Sequence, residues 1–201
     1  MSAAETVFVI DDDPGVRESL RALLEAAGYG VKDFSSAEAF LAQSGSLPGC
    51  LITDVRMPEM DGIALQEELI RRGAAIPIIV ITGHGDVPLA VRAMKAGAID
   101  FIEKPFAEDV LLDSVHRAVT TGRRAHDQAA EMRAARALLE ELTPREREVL
   151  EHLVAGRANK MVAYELGISP RTVEIHRARI MDKFKARSLS DLVRISLAAA
   201  D

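Results

Sequence analysis

The sequence predicts two domains of different class: an α/β domain built as a (βα)5 doubly wound parallel sheet, then an all-α domain of four helices. Three observations carry this. Over residues 1–122, five short apolar runs alternate with helical segments, which demands parallel strands joined by crossover helices. From residue 141 onward no such run occurs, and four helix starts take over, three of them with capping residues. The charge divides in the same place. Residues 1–140 hold 14 Lys and Arg against 22 Asp and Glu, whereas residues 141–201 hold 11 against 9. A basic module behind an acidic one points to an anionic partner for the second.

The elements follow in order. Thr6 to Ile10 is continuously apolar and β-branched, as a strand buried on both faces must be. Asp13 and Pro14 supply the N-cap and first turn of a helix running to Ala27. Gly28-Tyr29-Gly30 stops it, Val31 to Phe34 forms the second strand, and Ser36 to Gln43 the second helix. Leu51 to Thr53 leads to Asp54, and Met57-Pro58 then turns the chain toward a helix over Ile63–Arg72. Ile76 to Ile81 is the fourth strand, ending in Thr82-Gly83-His84-Gly85, with a helix over Val87–Ala96 behind it. Ile99 to Glu103 is the fifth strand, closed by Lys104-Pro105, and a last helix begins near Ala107.

This order puts Asp11, Asp12, Asp54, Thr82 and Lys104 at the carboxyl ends of their strands, where open parallel sheets place their ligands. Three carboxylates on one rim repel, so a cation must neutralise them. Oxygen donors in an open site suit Mg²⁺, which keeps waters and takes a few carboxylates plus a phosphoryl group. One lysine and one hydroxyl complete a cradle for a phosphoryl oxygen. Taken singly, each residue reads as a surface acid, a surface lysine or a core-edge threonine. Their joint arrival at strand ends is what carries the functional reading.

Composition narrows the remaining choices. The net charge is −6 and 48% of residues are hydrophobic, ample for a core, with no run of apolar residues long enough for a membrane span. The N-terminus has no basic, then apolar, leader pattern. The single cysteine, Cys50, excludes an internal disulfide and fits a reducing cytoplasm. Scattered histidines give no zinc-ligand spacing, and a 4% aromatic content argues against stacking on single strands.

Residues 5–122 resemble the receiver domain of two-component response regulators, on Asp11-Asp12, the Asp54-Val55-Arg56-Met57-Pro58 turn, Thr82-Gly83-His84-Gly85 and Phe101 through Phe106. The resemblance implies that Asp54 is the phosphoacceptor. It gives Mg²⁺ to Asp11, Asp12, Asp54 and the backbone carbonyl of Arg56, and the phosphoryl group to Lys104. A cis bond between Lys104 and Pro105 is expected, with Thr82 and Phe101 as the switch pair. Residues 108–141 hold one glycine, Gly122, and no proline, which reads as helix rather than flexible tether. Either Thr120-Thr121-Gly122 ends the receiver's last helix, or the helix runs on. The domains are therefore drawn as receiver 1–122, helical linker 123–140 and a C-terminal domain 141–201.

In that last domain Thr143, Pro144 and Glu146 make a capping box, and helices over Asn159–Leu166 and Pro170–Phe184 are joined by Gly167-Ile168-Ser169. Two helices around a short glycine turn form a helix-turn-helix. Ser188 with Asp191 caps a closing helix. Val173, His176, Ile180 and Phe184 recur at helical spacing as the buried stripe, with His176 expected to be a satisfied core histidine. The opposite face carries Arg171, Glu174, Ile175 and Ala178, of which Glu174, Ile175 and Ala178 stand where bases would be read. Thr172 is a further expected DNA contact, and Arg177, Arg179 and Lys183 stand where phosphates would lie. This half resembles the LuxR-type DNA-binding domain, departing at Met161, where an acid is common, and at Glu174, where many members carry lysine.

Together the halves resemble the NarL/FixJ family. That likeness implies a cytoplasmic transcriptional activator whose partners are a FixL-like histidine kinase, promoter DNA, RNA polymerase and a second copy of the chain after phosphorylation. It also implies nitrogen-fixation or microaerobic target genes. Two other readings compete: a regulator indifferent to phosphorylation, and a phosphatase or phosphotransferase using Asp54 as nucleophile. The intact acid set speaks against the first. Against the second, Arg56 stands where such enzymes need a general acid.

Overall fold

The computed structural model describes residues 5–43, 48–83 and 87–199. Five strands, β1 (Thr6–Ile10), β2 (Gly30–Phe34), β3 (Cys50–Asp54), β4 (Ile78–Thr82) and β5 (Asp100–Glu103), form one sheet. They pair parallel in the order β2-β1-β3-β4-β5. Between them lie α1 (Pro14–Ala26), α2 (Ala37–Leu41), α3 (Gly62–Arg71) and α4 (Val87–Lys95), followed by α5 (Glu108–Glu140). The (βα)5 arrangement expected from the alternation is present.

Side chains alternate between sheet faces, and the two faces have different covers. Val9, Ile52, Ile79, Ile81 and Ile102 pack with Leu20 and Leu24 of α1 and with Leu111, Val115 and Val119 of α5. Phe8, Leu51, Ile78 and Val80 pack with Phe40 of α2, Ile63, Leu65 and Leu69 of α3, and Ala93 of α4. β3 and β4 are buried at every residue, as strands covered on both sides must be. β4 begins at Ile78 rather than Ile76, because Pro77 has no N–H for the ladder. The Pro77 carbonyl still accepts from Leu51 N.

The fifth helix does not stop at Gly122. It runs unbroken from Glu108 to Glu140, so the second of the two expectations holds. Gly122 sits inside it for a steric reason: a Cβ there would lie 2.3 Å from the Gly49 carbonyl oxygen and 3.1 Å from Pro77 Cδ. Glycine is a poor helix former, yet here it admits close approach to the segment entering β3.

The chain divides into compact units at 1–126 and 127–201. The second contains α6 (Pro144–Val154), α7 (Asn159–Leu166), α8 (Pro170–Lys183) and α9 (Leu189–Ala198). It also takes in residues drawn from the sequence as linker. Leu138 and Leu139 pack against its core, Ala135 is buried, and Arg147 Nη2 donates to the Leu139 carbonyl at 2.9 Å. Three of the four starts in this unit are capped by side chains; that of α7, after Ala158, is not. Thr143 and Glu146 close a reciprocal capping box, Gly167 ends α7 in the left-handed conformation, and Ser169 and Ser188 cap α8 and α9.

Candidate functional site

Period-two alternation brings the acid site together. Val9, Ile52 and Ile102 share the face covered by α1 and α5. Two residues further along each strand, that same face carries Asp11, Asp54 and Lys104. Lys104 Nζ donates to Asp11 Oδ2 at 2.9 Å and to Asp54 Oδ1 at 3.0 Å. Asp11 is 3% exposed and Asp54 8%, so both carboxyl groups are largely withdrawn from water and depend on the Lys104 ammonium between them. The ammonium loses solvation there, which alone would lower its pKa. Hydrogen bonds and charge from Asp11 and Asp54 outweigh that and raise it, so Lys104 stays charged.

The remaining oxygens are also directed. Asp11 Oδ1 accepts from Asp13 N at 2.9 Å, a local duty beside its place in the acid site that its position in the chain does not announce. Asp54 Oδ2 accepts from Arg56 N at 2.6 Å, which brings the Arg56 backbone to the carboxylate. Asp12 is exposed on the same rim. Three carboxylates against one ammonium leave a double negative charge on Asp11, Asp12, Asp54 and Lys104. Among the described residues no three acidic, imidazole or thiol groups converge closely enough to hold a metal unaided. That donor set fits Mg²⁺, whose charge matches the excess and whose shell is completed by water and phosphoryl oxygen. The bond between Lys104 and Pro105 is cis, as expected.

Thr82 and Phe101 lie on the opposite face. Phe101 is in register with Val80, and both belong to the side covered by α3 and α4. Thr82, two residues after Val80, continues that face at the end of β4 and is 1% exposed. The pair expected to act as a switch thus lies on the side covered by α3 and α4, and the acids on the side covered by α1 and α5. His84, Gly85 and Asp86, part of the motif that followed Thr82, lie outside the described residues.

In the second unit, Arg171, Glu174, Ile175 and Ala178 line one shallow depression on the outer face of α8. Arg179 is exposed beside them and Arg177 half-buried. Thr172 is engaged at the N-cap, its Oγ1 2.8 Å from Ser169 Oγ. Val173, Ile180 and Phe184 face inward as the periodicity required. His176 is only half-buried, and its enclosed Nδ1 has no hydrogen-bond partner among the described residues, so it is not the satisfied core histidine expected. Its neighbours along the stripe, Val173 and Ile180, are apolar.

Lys183 departs furthest from its expected place. Its ammonium donates to Glu146 Oε2 at 2.7 Å and to the Glu141 carbonyl at 2.9 Å, inside the domain. Glu146 is 3% exposed, and its carboxyl is held down at about 2 by the Lys183 hydrogen bond first and the Thr143 backbone N–H second. No local pattern announces this pair, because its members are 37 residues apart.

Comparison with known proteins agrees with both halves. Residues 7–116 match the response regulator receiver domain, and residues 140–196 match the bacterial regulatory proteins of the luxR family. The chain is 47% identical over 200 residues to the transcriptional regulatory protein FixJ of Bradyrhizobium diazoefficiens, covering 99% of this chain and 98% of that one. It is 51% identical over 194 residues to FixJ of Rhizobium meliloti, covering 96% and 95%. The solved structure of the response regulator StyR is 46% identical, covers 96% of this chain and 98% of its own, and superposes with a TM-score of 0.85.

This chain belongs to the two-component response regulators with a LuxR-type DNA-binding domain.

As a response regulator it takes its signal from a histidine kinase and acts on DNA to regulate transcription; it is not an enzyme. Receiver domains bind Mg²⁺ at their phosphorylation site. No described helix is long and apolar enough to cross a membrane.

Proposed function

We propose that Asp54 accepts a phosphoryl group from a FixL-like histidine kinase, and that this turns a resting regulator into a DNA-binding dimer. The observation supporting this most strongly is Lys104 Nζ, bonded at once to Asp11 and Asp54. A phosphoryl group on Asp54 offers that ammonium new acceptors of higher charge. In the transfer, a carboxylate oxygen of Asp54 bonds to phosphorus, the phosphorus–nitrogen bond of the kinase's phosphohistidine breaks, and the imidazole leaves. Asp11, Asp12, Asp54 and the Arg56 carbonyl would hold Mg²⁺, which supplies electrostatic stabilisation of the transferring oxygens. Lys104 gives up its bond to Asp54 for one to the phosphoryl group. Thr82 turns its hydroxyl toward the same group, and Phe101 moves into the space vacated.

Because Thr82 and Phe101 lie on the α4 side, the surface that changes is that of α4 and β5, and the dimer forms there. α8 then enters the major groove, with Glu174 accepting from cytosine N4 and Ile175 or Ala178 touching thymine methyl groups. Arg177 and Arg179 contact phosphates, and RNA polymerase is recruited at the promoter in the cytoplasm. Likeness to FixJ supports nitrogen-fixation or microaerobic genes as targets.

Light scattering of the full chain with Mg²⁺, with and without beryllofluoride, tests the central step. The mass is expected to double in the wild type and to stay monomeric in Asp54→Asn. A mass that rises equally in both overturns the assignment. For base reading, Glu174→Lys is expected to weaken binding to the preferred operator about tenfold, the lower part of a 1–3 kcal/mol base contact. It should raise affinity for sites with guanine at the contacted position. Competition binding on operator libraries reads both.

A further inference from the structure

Arg17, on α1, is not used by the phosphotransfer reading. Its Nη1 donates to the Asp11 carbonyl at 2.7 Å and to the Asp12 carbonyl at 3.1 Å. Its Nε lies 3.4 Å from Asp33 Oδ2 on β2, and Arg21, one turn further along α1, pairs with Asp33 Oδ1. The Arg17 side chain is only 17% exposed. A guanidinium this far withdrawn from water needs its bonds, and these go to the backbone of the two residues that open the acid site.

The two carboxylates are held differently. That of Asp11 is fixed through its own oxygens, by Asp13 N and Lys104 Nζ. Asp12 is exposed, so the direction of its carboxylate depends on the backbone that carries it. We propose that Arg17 is a positioning residue for the acid site: by tying the Asp11 and Asp12 carbonyls to Asp33, it fixes the backbone that aims the Asp12 carboxylate toward the divalent cation beside the separately held Asp11. The inference rests on the Mg²⁺ reading above. Arg17 lies on the α1 face, the same face as Asp11, Asp54 and Lys104, and reaches the loop from the side away from β3.

Charge and position predict opposite signs here, which makes the idea decidable. Arg17 is a positive charge near the acids, so on Coulomb grounds alone its removal strengthens cation binding. As a positioning residue, its removal weakens binding, as loss of an outer partner of a metal ligand does by about tenfold or more.

The experiment is a Mg²⁺ titration of the full chain followed by backbone amide resonances, for wild type, Asp12→Asn, Arg17→Ala and Arg17→Lys. Amide exchange at Asp13 is measured in the metal-free proteins. Arg17→Ala is expected to weaken Mg²⁺ about tenfold and to speed exchange of the Asp13 amide, which reports the loop without any cation. Arg17→Lys keeps the charge but cannot span two carbonyls and Asp33, so it is expected to weaken Mg²⁺ in the same direction. That variant also decides the matter if the alanine protein does not fold. Binding that is unchanged or tighter in Arg17→Lys, with wild-type binding lost in Asp12→Asn, overturns the role of Arg17 alone. A wild type that shows no saturable Mg²⁺ shift overturns the cation reading and this inference with it.

Discussion

Gly62→Ala is expected to destabilise the receiver by about 3 kcal/mol, the upper end of what overpacking costs, and to abolish phosphoryl uptake by Asp54. Gly62 opens α3 with Asp61 as N-cap, and its N–H donates to the Val55 carbonyl at 3.0 Å. A Cβ on it would stand 2.2 Å from the Asp54 carbonyl oxygen and 3.1 Å from both the Asp54 carbonyl carbon and Thr53 Oγ1. Its φ is not positive, so conformational freedom is not the reason for glycine here. Contact is. The obstructing atoms are backbone of Asp54, the proposed phosphoacceptor, and cannot rotate aside. Either α3 retreats and opens the core around Ile63 and Leu65, or the end of β3 shifts and Asp54 leaves Lys104. Urea unfolding of the full chain measures the first cost, and mass spectrometry after acetyl phosphate treatment the second. An unchanged midpoint with full uptake would show that the loop between β3 and α3 relaxes freely, against the packing described.

Much of this site could be read from the chain because its logic is local. A strand of period two ending in an acid or a lysine states both its face and its rim position. Asp11, Asp54 and Lys104 therefore follow from Val9, Ile52 and Ile102. Caps are equally local: Asp13, Asp61, Thr143, Ser169 and Ser188 all cap helices through their own side chains. What stayed hidden depends on distant partners. Arg17 looked like an ordinary polar residue on α1, since the carbonyls it holds carry no sequence signature. Gly122 read as a possible helix stop because its reason, the carbonyl of Gly49, lies in another segment. Residues 123–140 read as a stiff helical linker and not as part of a core, because a helix poor in large apolar residues shows little of the face it buries. Leu138 and Leu139, with buried Ala135, commit it to the second unit.

The two faces of the sheet also give the switch a physical outline. Asp54 and Lys104 continue the side covered by α1 and α5, while Thr82 and Phe101 continue the side covered by α3 and α4. Under the proposed phosphorylation of Asp54, the charge added on one side would be read by Thr82 and Phe101, whose packing lies on the other. Lys104 N donates to the Thr82 carbonyl at 2.8 Å, so the strand ends that carry the two readers are directly bonded. A bistable element needs two such neighbours that cannot move independently.

Lys183→Met is expected to cost the C-terminal unit about 2 kcal/mol at pH 7, within the range for stranding a charged hydrogen-bond acceptor. The loss should be visible as earlier thermal broadening of α6 and α8 amide resonances in the full chain. Glu146 is buried against the start of α6, where Thr143 N and Thr143 Oγ1 also donate to its Oε2 at 3.0 Å. Methionine preserves the packing of the lysine stem and removes only the charge. The pH dependence fixes the cause. Because the folded carboxyl is held at about 2, below its ordinary 4.5, its contribution is fully present above the ordinary value and is lost as pH falls toward 2. The gap between wild type and Lys183→Met should therefore be widest at neutral pH and close across that acid window. DNA binding supplies the opposing test. A lysine neutralising one phosphate contributes about 0.9 to the slope of log affinity against log salt. With Lys183 committed to Glu146 and the Glu141 carbonyl, that slope is expected to be the same in both proteins at a temperature where both are folded. A slope reduced by about one unit, with stability unchanged, would return Lys183 to the phosphate backbone and leave Glu146 held by Thr143 alone.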